Sequence, residues 1–456
     1  MSRPLPPATA LTRRASLLIC ASALITTACG EPTPSGGASL GTRLADPAAR
    51  KFYAARSGQP VWDDAKAKAL AGALAAANVH GLDHHDFMIR PTAGVARDEA
   101  LTLTALAYAK ALASGLTDPS AIEPVFTLER NDVDLAAGLG AALELDDLAT
   151  WLASLAPADA EYKAISAAYL AAAGQPPAAT GQPLSNDAPA NDAPADDAAT
   201  NIPLAGAPAA ASAQTRQLAA NLERRRWLSR NPPAHRIDVN TAAAFLDYIA
   251  PGQPAWADRT VVGRRDHPTP SIQADFHRLI VNPPWKVPKE IAEKEILPKG
   301  PGYMARQDMR VVNGAVEQAP GRKCALGLVK FDVDDRYDIY LHDTPAKATF
   351  ALRDRHRSHG CVRVEHAVNF ARSIAAEVGK AGGFDQALAT KDTHELDLGQ
   401  SIGVRLLYHT AYVGPDGRVM VAPDVYGGDD RLAAALGFGA AATASGTAEA
   451  DAEPGP

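Results

Sequence analysis

The sequence predicts an α+β protein in which a helical N-terminal domain precedes a mainly β C-terminal domain. Between residues 47 and 170, alanine- and leucine-rich runs are separated by prolines and glycines, as expected for helices and the turns between them. From residue 236 onwards, apolar and polar residues alternate and β-branched residues accumulate, which is typical of strands. The 456 residues are enough for two or three domains with a sizeable core.

The first 28 residues predict an export signal. Arg13 and Arg14 precede an apolar run, Leu17 to Ile25, that is too short to remain as a membrane span. Small residues follow up to Cys29, and Thr26-Thr27-Ala28-Cys29 resembles a lipobox. The pattern predicts a periplasmic protein, with Cys29 as the candidate site of lipidation and residues 29–46 as a tether.

The charge balance excludes one class of partner. The formal net charge is −7, and the predicted signal contains three arginines and no acid, so the remainder carries −10. No basic block or interleaving of aromatic and basic residues indicates nucleic-acid binding. An acidic protein also gains nothing from long-range attraction to an anionic wall polymer, so recognition of such a polymer has to be local.

Helices are predicted at 65–77, 99–112 and 141–155, within a helical domain at 47–170. Residues 171–214 contain no aromatic residue and no lysine and nearly repeat Asn-Asp-Ala-Pro-Ala. Such a segment buries too little surface to offset its ordering entropy, so it predicts a disordered linker. A helix at 215–228 then predicts that residues 215–235 return to the helical domain.

The β domain is predicted at 236–428, with a tail at 429–456 that is disordered from about residue 441. Its predicted elements are strands at 236–240, 260–262, 403–412 and 418–421, a strand–turn–strand at 322–342 and a helix at 364–380. Residues 283–323 are rich in proline and glycine. A long loop of that kind is either a lid or binding loop, or a sign that elements have been missed.

Two short segments carry the residues suited to catalysis. In the first, Ile339 and Leu341 alternate with Tyr340 and His342, which predicts a strand with His342 on its polar face. The second, Ser358 to Arg363, contains His359-Gly360-Cys361. A nucleophilic cysteine needs a base or cationic neighbour, donors for the developing oxyanion and a backbone that can approach substrate closely. These segments supply each requirement, and Arg355, Arg357 and Arg363 add positive potential.

Other interpretations of these residues remain open from the sequence alone. Zinc binding would use His342, His356, His359 and Cys361, although the paired ligand spacing of usual sites is absent. In an oxidising compartment, Cys324 and Cys361 would be candidates for a disulfide, since Cys20 and Cys29 belong to the signal. A second cluster, His80, His84 and His85, favours a solvated loop over a metal site.

The two catalytic segments together resemble the signature of the L,D-transpeptidase (YkuD-type) domain. The resemblance rests on Tyr340-Leu341-His342-Asp343-Thr344-Pro345 followed by Ser358-His359-Gly360-Cys361-Val362-Arg363. Further motifs resemble the large branch of the family, which has an N-terminal scaffold domain. They are Phe52-Tyr53, Pro60-Val61-Trp62, His80-Gly81-Leu82-Asp83, Arg224-Arg225-Arg226-Trp227-Leu228, Val261-Val262-Gly263 with Thr269-Pro270, Asn282-Pro283-Pro284-Trp285-Lys286-Val287-Pro288, and Leu326-Gly327 with Lys330-Phe331.

The resemblance implies a YkuD-like β-sandwich and a two-step acyl transfer between peptidoglycan stem peptides. Cys361 would be the nucleophile, and His342 the general base, oriented by the Asp343 backbone carbonyl. His359 and Gly360 would help to orient substrate and bind the oxyanion. Residues implied to contact substrate or to shape its groove are Arg363, Tyr340, Ser358, Trp285, Tyr303 and Asp343. The resemblance implies no metal or organic cofactor, and inhibition by carbapenems.

The chain departs from the family pattern at two places. The linker occupies the approximate position of a peptidoglycan-binding module, and Cys324-Ala325 precedes Leu326-Gly327 where an asparagine is common. The sequence also leaves the acceptor open. Water would make the enzyme an L,D-carboxypeptidase, attachment of a wall-linked protein is a third outcome, and a non-catalytic wall-bound lipoprotein scaffold is an alternative from another class.

Overall fold

The computed structural model describes residues 39–92, 96–174 and 211–439. The predicted signal peptide, Cys29, the first part of the tether, residues 175–210 of the linker and the tail from residue 440 lie outside the described residues. The part from Leu40 onwards is one compact unit. None of the described helices has the length and apolarity needed to cross a membrane.

In the described part of the chain, eight α-helices precede the first strand, and several begin at an acidic or serine N-cap. Asp63 accepts the Lys66 N–H at 2.8 Å, and Ser212 accepts the Thr215 N–H at 3.0 Å. The helices are α1 Pro47–Ala54, α2 Asp64–Ala75, α3 Arg97–Ser114, α4 Pro119–Ile122, α5 Leu135–Glu144, α6 Leu148–Leu155, α7 Ala160–Gly174 and α8 Ala213–Trp227.

The helices predicted at 65–77, 99–112 and 215–228 correspond to α2, α3 and α8. The single helix predicted at 141–155 is wrong. The structure has two helices there, α5 and α6, and between them Asp146 has a φ of 51°, which a right-handed helix cannot include. Helix α7 continues to Gly174 and so includes the first four residues, 171–174, of the predicted linker.

The C-terminal half is built on one large sheet. Its nine strands run in the order β10-β3-β11-β9-β8-β4-β12-β1-β2, and β2 pairs back onto β3, which closes the sheet around its core. The strands of this half are β1 Arg236–Asn240, β2 Phe245–Ile249, β3 Trp256–Gly263, β4 Gln273–Val281, β5 Trp285–Lys286, β6 Met309–Val312, β7 Ala315–Gln318, β8 Val329–Asp334, β9 Leu341–His342, β10 His356–Ser358, β11 Val362–Val364, β12 His394–Leu407, β13 Ala411–Val413 and β14 Val419–Val421.

The segment predicted as a loop at 283–323 is a small folded subdomain, which we call the lid. Strands β5, β7 and β6 form its sheet, and a helical stretch joins β5 to β6 through α9 Lys289–Ile291, a π-helical turn at Ala292–Ile296 and α10 Gly300–Arg306. The lid has its own apolar core, which includes Trp285, Ile296 and Cys324. Tyr340 of the large sheet packs against this core, so the lid contacts the sheet beside β9.

Three helices complete the β half: α11 Ala367–Glu377, α12 Ala381–Ala389 and α13 Asp429–Ala435. Phe370 and Ile374 of α11 enter the core of the large sheet. The start of the predicted tail is not loose, because α13 and Phe438 join the core of the helical domain together with Ala411 of β13. The chain therefore returns to its N-terminal domain after the catalytic sheet, and the fold is α+β, as predicted.

The junction between the halves is held by buried ion pairs on α8. Glu223 and Arg226 have fully buried side chains and pair at 2.6 Å, and Glu223 also accepts the Thr117 N–H at 2.7 Å. Arg224 pairs with Asp429 of α13. Burying such charges is unfavourable unless each is paired and hydrogen-bonded, and these partners come from both halves of the chain.

Candidate active site

A tight turn between β10 and β11 presents Cys361. The Ser358 hydroxyl donates to the Cys361 carbonyl at 2.6 Å and accepts the Gly360 N–H at 3.2 Å. The Thr269 hydroxyl donates to the Gly360 carbonyl at 2.7 Å. Gly360 has a φ of 117°, where side chains are strained, and an added Cβ would lie 3.2 Å from the Ile339 side chain. The turn is therefore fixed on both sides of the sulfur.

Strand register places the cysteine and the histidine on one face. β9 and β11 are parallel, with Leu341 opposite Val362 and His342 opposite Arg363. Leu341 and Val362 are fully buried in the sheet core. Because side chains alternate along a strand, Tyr340, His342, Cys361 and Arg363 project from the opposite face, towards the lid. His342 and Cys361 are diagonal neighbours on adjacent strands, with Cα atoms about 8 Å apart from the spacing of strands and residues.

His342 is oriented by a main-chain hydrogen bond. Its Nδ1 lies 2.5 Å from the Asp343 carbonyl oxygen, which can only accept, so Nδ1 carries the proton. Burial and the nearby Arg363 lower the pKa of His342 to about 3, against the opposing effect of this hydrogen bond. The ring is therefore neutral at physiological pH, and Nε2 retains the lone pair that a general base requires.

The Cys361 sulfur is half-buried, with Sγ 3.6 Å from the Asp338 carbonyl oxygen. Burial raises the pKa of the Cys361 thiol to about 11, and Asp335 acts in the same direction. Hydrogen bonds from Tyr340 and the charge of Lys330 act in the opposite direction. The site thus holds a neutral thiol on the same face as a neutral imidazole near neutral pH.

His359 joins the turn at Ser358 to Cys361, which we call the nucleophile turn, to the lid. Its Nε2 lies 2.6 Å from Glu295 Oε1, in the π-helical turn of the lid, and 2.8 Å from a guanidinium nitrogen of Arg264. One ring nitrogen cannot donate to a carboxylate and accept from a guanidinium at once, so the tautomer selects between these partners. Burial lowers the pKa of His359, whereas Glu295 acts to raise it. His267 packs edge-on against the ring at 5.3 Å.

Several residues implied as substrate contacts are engaged within the protein. Ser358 is buried in the nucleophile turn, and the Asp343 carboxylate accepts the Leu328 N–H at 2.9 Å and pairs with Lys347 at 2.6 Å. Ser358 and Asp343 therefore brace the site, and a contact of either residue with substrate stays a prediction. Tyr303 packs against the lid core beneath Lys299, whose ammonium lies 4.6 Å from the ring centre.

Trp285, Tyr340 and Arg363 do converge on the nucleophile. Trp285 is buried in the lid core, and both Trp285 and Cys361 act on the pKa of Tyr340, so the three side chains are neighbours. Burial lowers the pKa of Arg363, whereas Cys361 acts to raise it. Sequence reasoning missed Lys330, Glu295, Arg264 and Thr269. Of these four, Lys330 and Thr269 stood within motifs quoted for the resemblance, whereas Glu295 and Arg264 gave no signal.

The alternative roles of the cysteines and histidines are not supported by the geometry. Cys324 and Cys361 are both free thiols, and Cys324 donates to the Pro283 carbonyl at 3.3 Å inside the lid core. His356 is held by Asp354 at 2.9 Å and by the Thr241 carbonyl at 3.0 Å, away from Cys361. Among the described residues, the one group of side chains close enough to share a metal is Asp258, Glu365 and His366, and it includes no member of the predicted zinc set.

A cavity of about 520 Å³ lies elsewhere, between the helical domain and the outer faces of β1, β2 and β12. Asp238 of its wall is paired with Arg405 at 2.6 Å. Asp247 stands opposite Asp238 in the sheet register, and burial raises the pKa of Asp247 to about 6. Neither Cys361 nor His342 lines this cavity, so it is separate from the candidate active site.

Comparison with known proteins identifies both domains. Residues 234–381 match the L,D-transpeptidase catalytic domain, YkuD, and residues 47–168 match the Scaffold domain. A putative L,D-transpeptidase of Haemophilus influenzae is 30% identical over 244 residues, which are 48% of this chain and 49% of that protein. The chain thus spans about half the length of this curated relative.

Two solved structures are also similar to the chain. One is L,D-transpeptidase 3 from Mycobacterium tuberculosis in complex with a faropenem-derived adduct, at 13% identity and a TM-score of 0.21, covering 39% of this chain and 62% of that one. The other is the Ldtfm-avibactam carbamoyl enzyme, also at 13% identity and a TM-score of 0.21, covering 38% of this chain and 49% of that one.

Proposed function

We propose that the chain is an L,D-transpeptidase that forms 3→3 cross-links between peptidoglycan stem peptides through a thioester on Cys361. The matches of residues 234–381 to the YkuD catalytic domain and of residues 47–168 to the scaffold domain support this proposal. The observation that carries this proposal is the pairing of β9 with β11. It places His342, with its Nε2 lone pair available, on the same face as the Cys361 thiol. A thiol and an oriented imidazole are the parts that acyl transfer to sulfur requires.

In the first step, Nε2 of His342 takes the thiol proton as Sγ attacks the carbonyl of the third residue of a donor stem. The Gly360 N–H already donates to Ser358, so we assign the Cys361 N–H to the oxyanion. Collapse of the tetrahedral intermediate breaks the C–N bond. The terminal D-alanine leaves with the proton that His342 had taken, and the thioester remains.

In the second step, the side-chain amine of a second stem attacks the thioester. His342 accepts the amine proton and returns it to the departing sulfur, so the new amide forms and the thiol is regenerated. Neither step requires a metal or an organic cofactor. We assign an amine rather than water as the acceptor, because the apolar core of the lid, with Trp285 and Tyr340, lies beside the site and would limit the access of water once substrate is bound.

The alternative that shares this chemistry is hydrolysis of the thioester, which would make the enzyme an L,D-carboxypeptidase. Muropeptide analysis separates the two, because cross-linking yields a 3→3 dimer and hydrolysis yields a tripeptide stem. We expect the purified enzyme to form the dimer from tetrapeptide substrate. Tripeptide as the sole product would replace the proposal by the carboxypeptidase.

The nucleophile is tested by Cys361→Ala, which should abolish product formation while the melting temperature stays close to that of the wild type. A carbapenem, as a strained acyl donor, should add its mass to the wild type at Cys361 and leave Cys361→Ala unmodified. Cys324→Ala is the matched control, because Cys324 lies in the lid core and should not carry the adduct. Full activity in Cys361→Ala would remove Cys361 as the nucleophile.

We also propose that the protein acts in the periplasm and that Cys29 receives the lipid anchor. Residues 1–38 lie outside the described part of the chain, so this proposal rests on the charged, apolar and lipobox-like pattern of the N-terminus. Fractionation of cells that express the full chain should place it in the membrane fraction. Cys29→Ala should move it into the soluble periplasmic fraction, and an unchanged distribution would contradict lipidation.

A further inference from the structure

Lys330 occupies a central place in the candidate site that no catalytic role yet accounts for. In the antiparallel pairing of β8 with β9, Lys330 stands opposite His342. His342 in turn stands opposite Arg363 of β11. Three neighbouring strands therefore carry lysine, histidine and arginine side by side on the face that presents Cys361.

The Lys330 ammonium is held in one position by two contacts. It pairs with Asp332 at 2.8 Å, and it lies 4.4 Å from the centre of the Tyr340 ring. A cation over the face of an aromatic ring is attracted by the ring's negative electron density. The side chain is about three-quarters buried, with 23% exposed, so solvent screens this charge only in part.

Tyr340 transmits this arrangement to the sulfur. Trp285 and Cys361 both act on the pKa of the Tyr340 hydroxyl, so both side chains lie beside it. An indole N–H can only donate, so with the tyrosine oxygen as its acceptor the tyrosine O–H is free to turn towards Sγ. Burial and the neighbouring Cys361 raise the pKa of Tyr340, so the hydroxyl keeps its proton and remains a donor.

From these contacts we propose that Lys330 is a positioning residue, whose ammonium fixes Tyr340 so that the hydroxyl hydrogen-bonds to Cys361 Sγ and stabilises the thiolate. This inference rests on the proposed role of Cys361 as nucleophile. Activation of Cys361 would then have two parts. The His342 imidazole removes the thiol proton, and the Tyr340–Lys330 pair stabilises the negative charge that remains on the sulfur. A hydrogen bond to an ionised group is stronger than one to a neutral group, so the effect appears mainly when the thiolate forms.

Other charges also act on this sulfur. The titratable and charged groups around it are Lys330 of β8, Asp335 and Asp338 of the following turn, Tyr340 and His342 at β9, and Arg363 of β11. Asp335 opposes the thiolate, whereas Lys330 and Tyr340 favour it. Replacing Lys330 thus removes a positive charge that offsets the effect of Asp335, so the thiolate becomes harder to form.

The test is the pH dependence of Cys361 alkylation by iodoacetamide, followed by peptide mass spectrometry so that other cysteines do not interfere. We expect Lys330→Met to slow alkylation about tenfold near neutral pH and to move the rise in rate to higher pH, because tenfold corresponds to a loss of about 1.4 kcal/mol of thiolate stabilisation. Lys330→Arg should restore most of the rate. Lys391→Met, at an exposed lysine, is the matched control and should behave as the wild type.

Tyr340→Phe separates transmission through tyrosine from a direct effect of charge. It should also slow alkylation, and the double variant with Lys330→Met should be little slower than the slower single variant, because both act on one hydrogen bond. Independent, multiplicative effects would overturn the proposal, as would a Lys330→Met profile that matches the wild type. If Lys330→Met does not fold, Lys330→Gln takes its place with the same expectations.

Alkylation does not depend on stem peptides, so the two proposals fail separately. If Lys330→Met shifts the alkylation profile but the wild type forms no cross-link, the positioning role stands and the proposed function is removed. If the wild type forms cross-links but Lys330→Met leaves the profile unshifted, the proposed function stands and the positioning role is removed.

Discussion

Acid should destabilise this protein through His342, because the folded chain holds that imidazole neutral. Burial and Arg363 lower its pKa from an ordinary 6.5 to about 3. Between these two values, the unfolded chain binds a proton at His342 that the folded chain does not. The stability of the folded state therefore rises with pH across this window, and it is lost as the pH falls below about 6.5.

The magnitude follows from the width of the window. At about pH 4.5, two pH units below the unfolded pKa, protonation of His342 favours the unfolded chain by about 2.7 kcal/mol. The folded state gains almost nothing there, because about pH 4.5 still lies well above its own pKa. Since domains of this kind are stable by only about 5–15 kcal/mol, one histidine should make a measurable contribution to acid sensitivity.

The assay is urea unfolding of the wild type and His342→Gln at about pH 7.5 and pH 4.5. The substitution itself changes the free energy of unfolding at both pH values. The informative quantity is therefore how far the difference in this free energy between variant and wild type changes from about pH 7.5 to about pH 4.5. We expect the variant to gain about 2–3 kcal/mol relative to the wild type on acidification. His277→Gln, at an exposed histidine on β4, should show no such gain. A difference that stays constant within about 0.5 kcal/mol would refute the assignment of a neutral, desolvated His342.

Two further predictions concern ion pairs with opposite degrees of burial. Glu223→Ala leaves Arg226 buried without its partner, so we expect the free energy of unfolding in urea to fall by about 3–5 kcal/mol. Glu144→Ala, at an exposed pair, is the control and should lower it by less than about 1 kcal/mol. Equal losses would contradict a structural role for the buried pair. Glu295→Gln weakens the contact of the lid with His359 by about 1.5–3 kcal/mol, so backbone amides at 292–296 should exchange with solvent at least about tenfold faster. Unchanged exchange would show that the lid is held by its apolar core alone.

Local pattern was enough to predict the strands whose alternation is regular. β1 was found because Ile237 and Val239 face one core with a period of two, and part of β3 was found because Thr260 to Val262 are β-branched. β4 was missed, and its pairings with β8 and with β12 show why. Their registers shift after Phe276, so the apolar residues that follow no longer keep the two-residue period. β2 was missed because its outward Phe245 is apolar and packs on Tyr412 at 5.2 Å, which obscures the alternation.

The lid could not be predicted because its structure depends on distant pairing. β5 pairs with β7, and Trp285 lies opposite Gln318 across more than thirty residues rich in proline and glycine. No local period reports such a contact. The same holds for Glu295, which reaches His359 across a separation of 64 residues. Sequence reasoning named the candidate nucleophile and base, Cys361 and His342, and missed Glu295, Arg264 and Thr269, which contact the turn that carries Cys361.

The row of cations beside His342 has two opposite effects on the same reaction. Arg363 and Lys330 lower the pKa of the imidazole, which makes His342 a weaker base, while Lys330 also favours the thiolate. The first effect and burial dominate, so the thiol keeps its proton near neutral pH and reacts only slowly with solvent electrophiles. In the proposed mechanism, bound substrate excludes water, and this strengthens every charge interaction with the sulfur. The thiolate is then favoured most when substrate is bound. Activity should therefore depend on the residues that place Tyr340 and the lid as strongly as on the base itself.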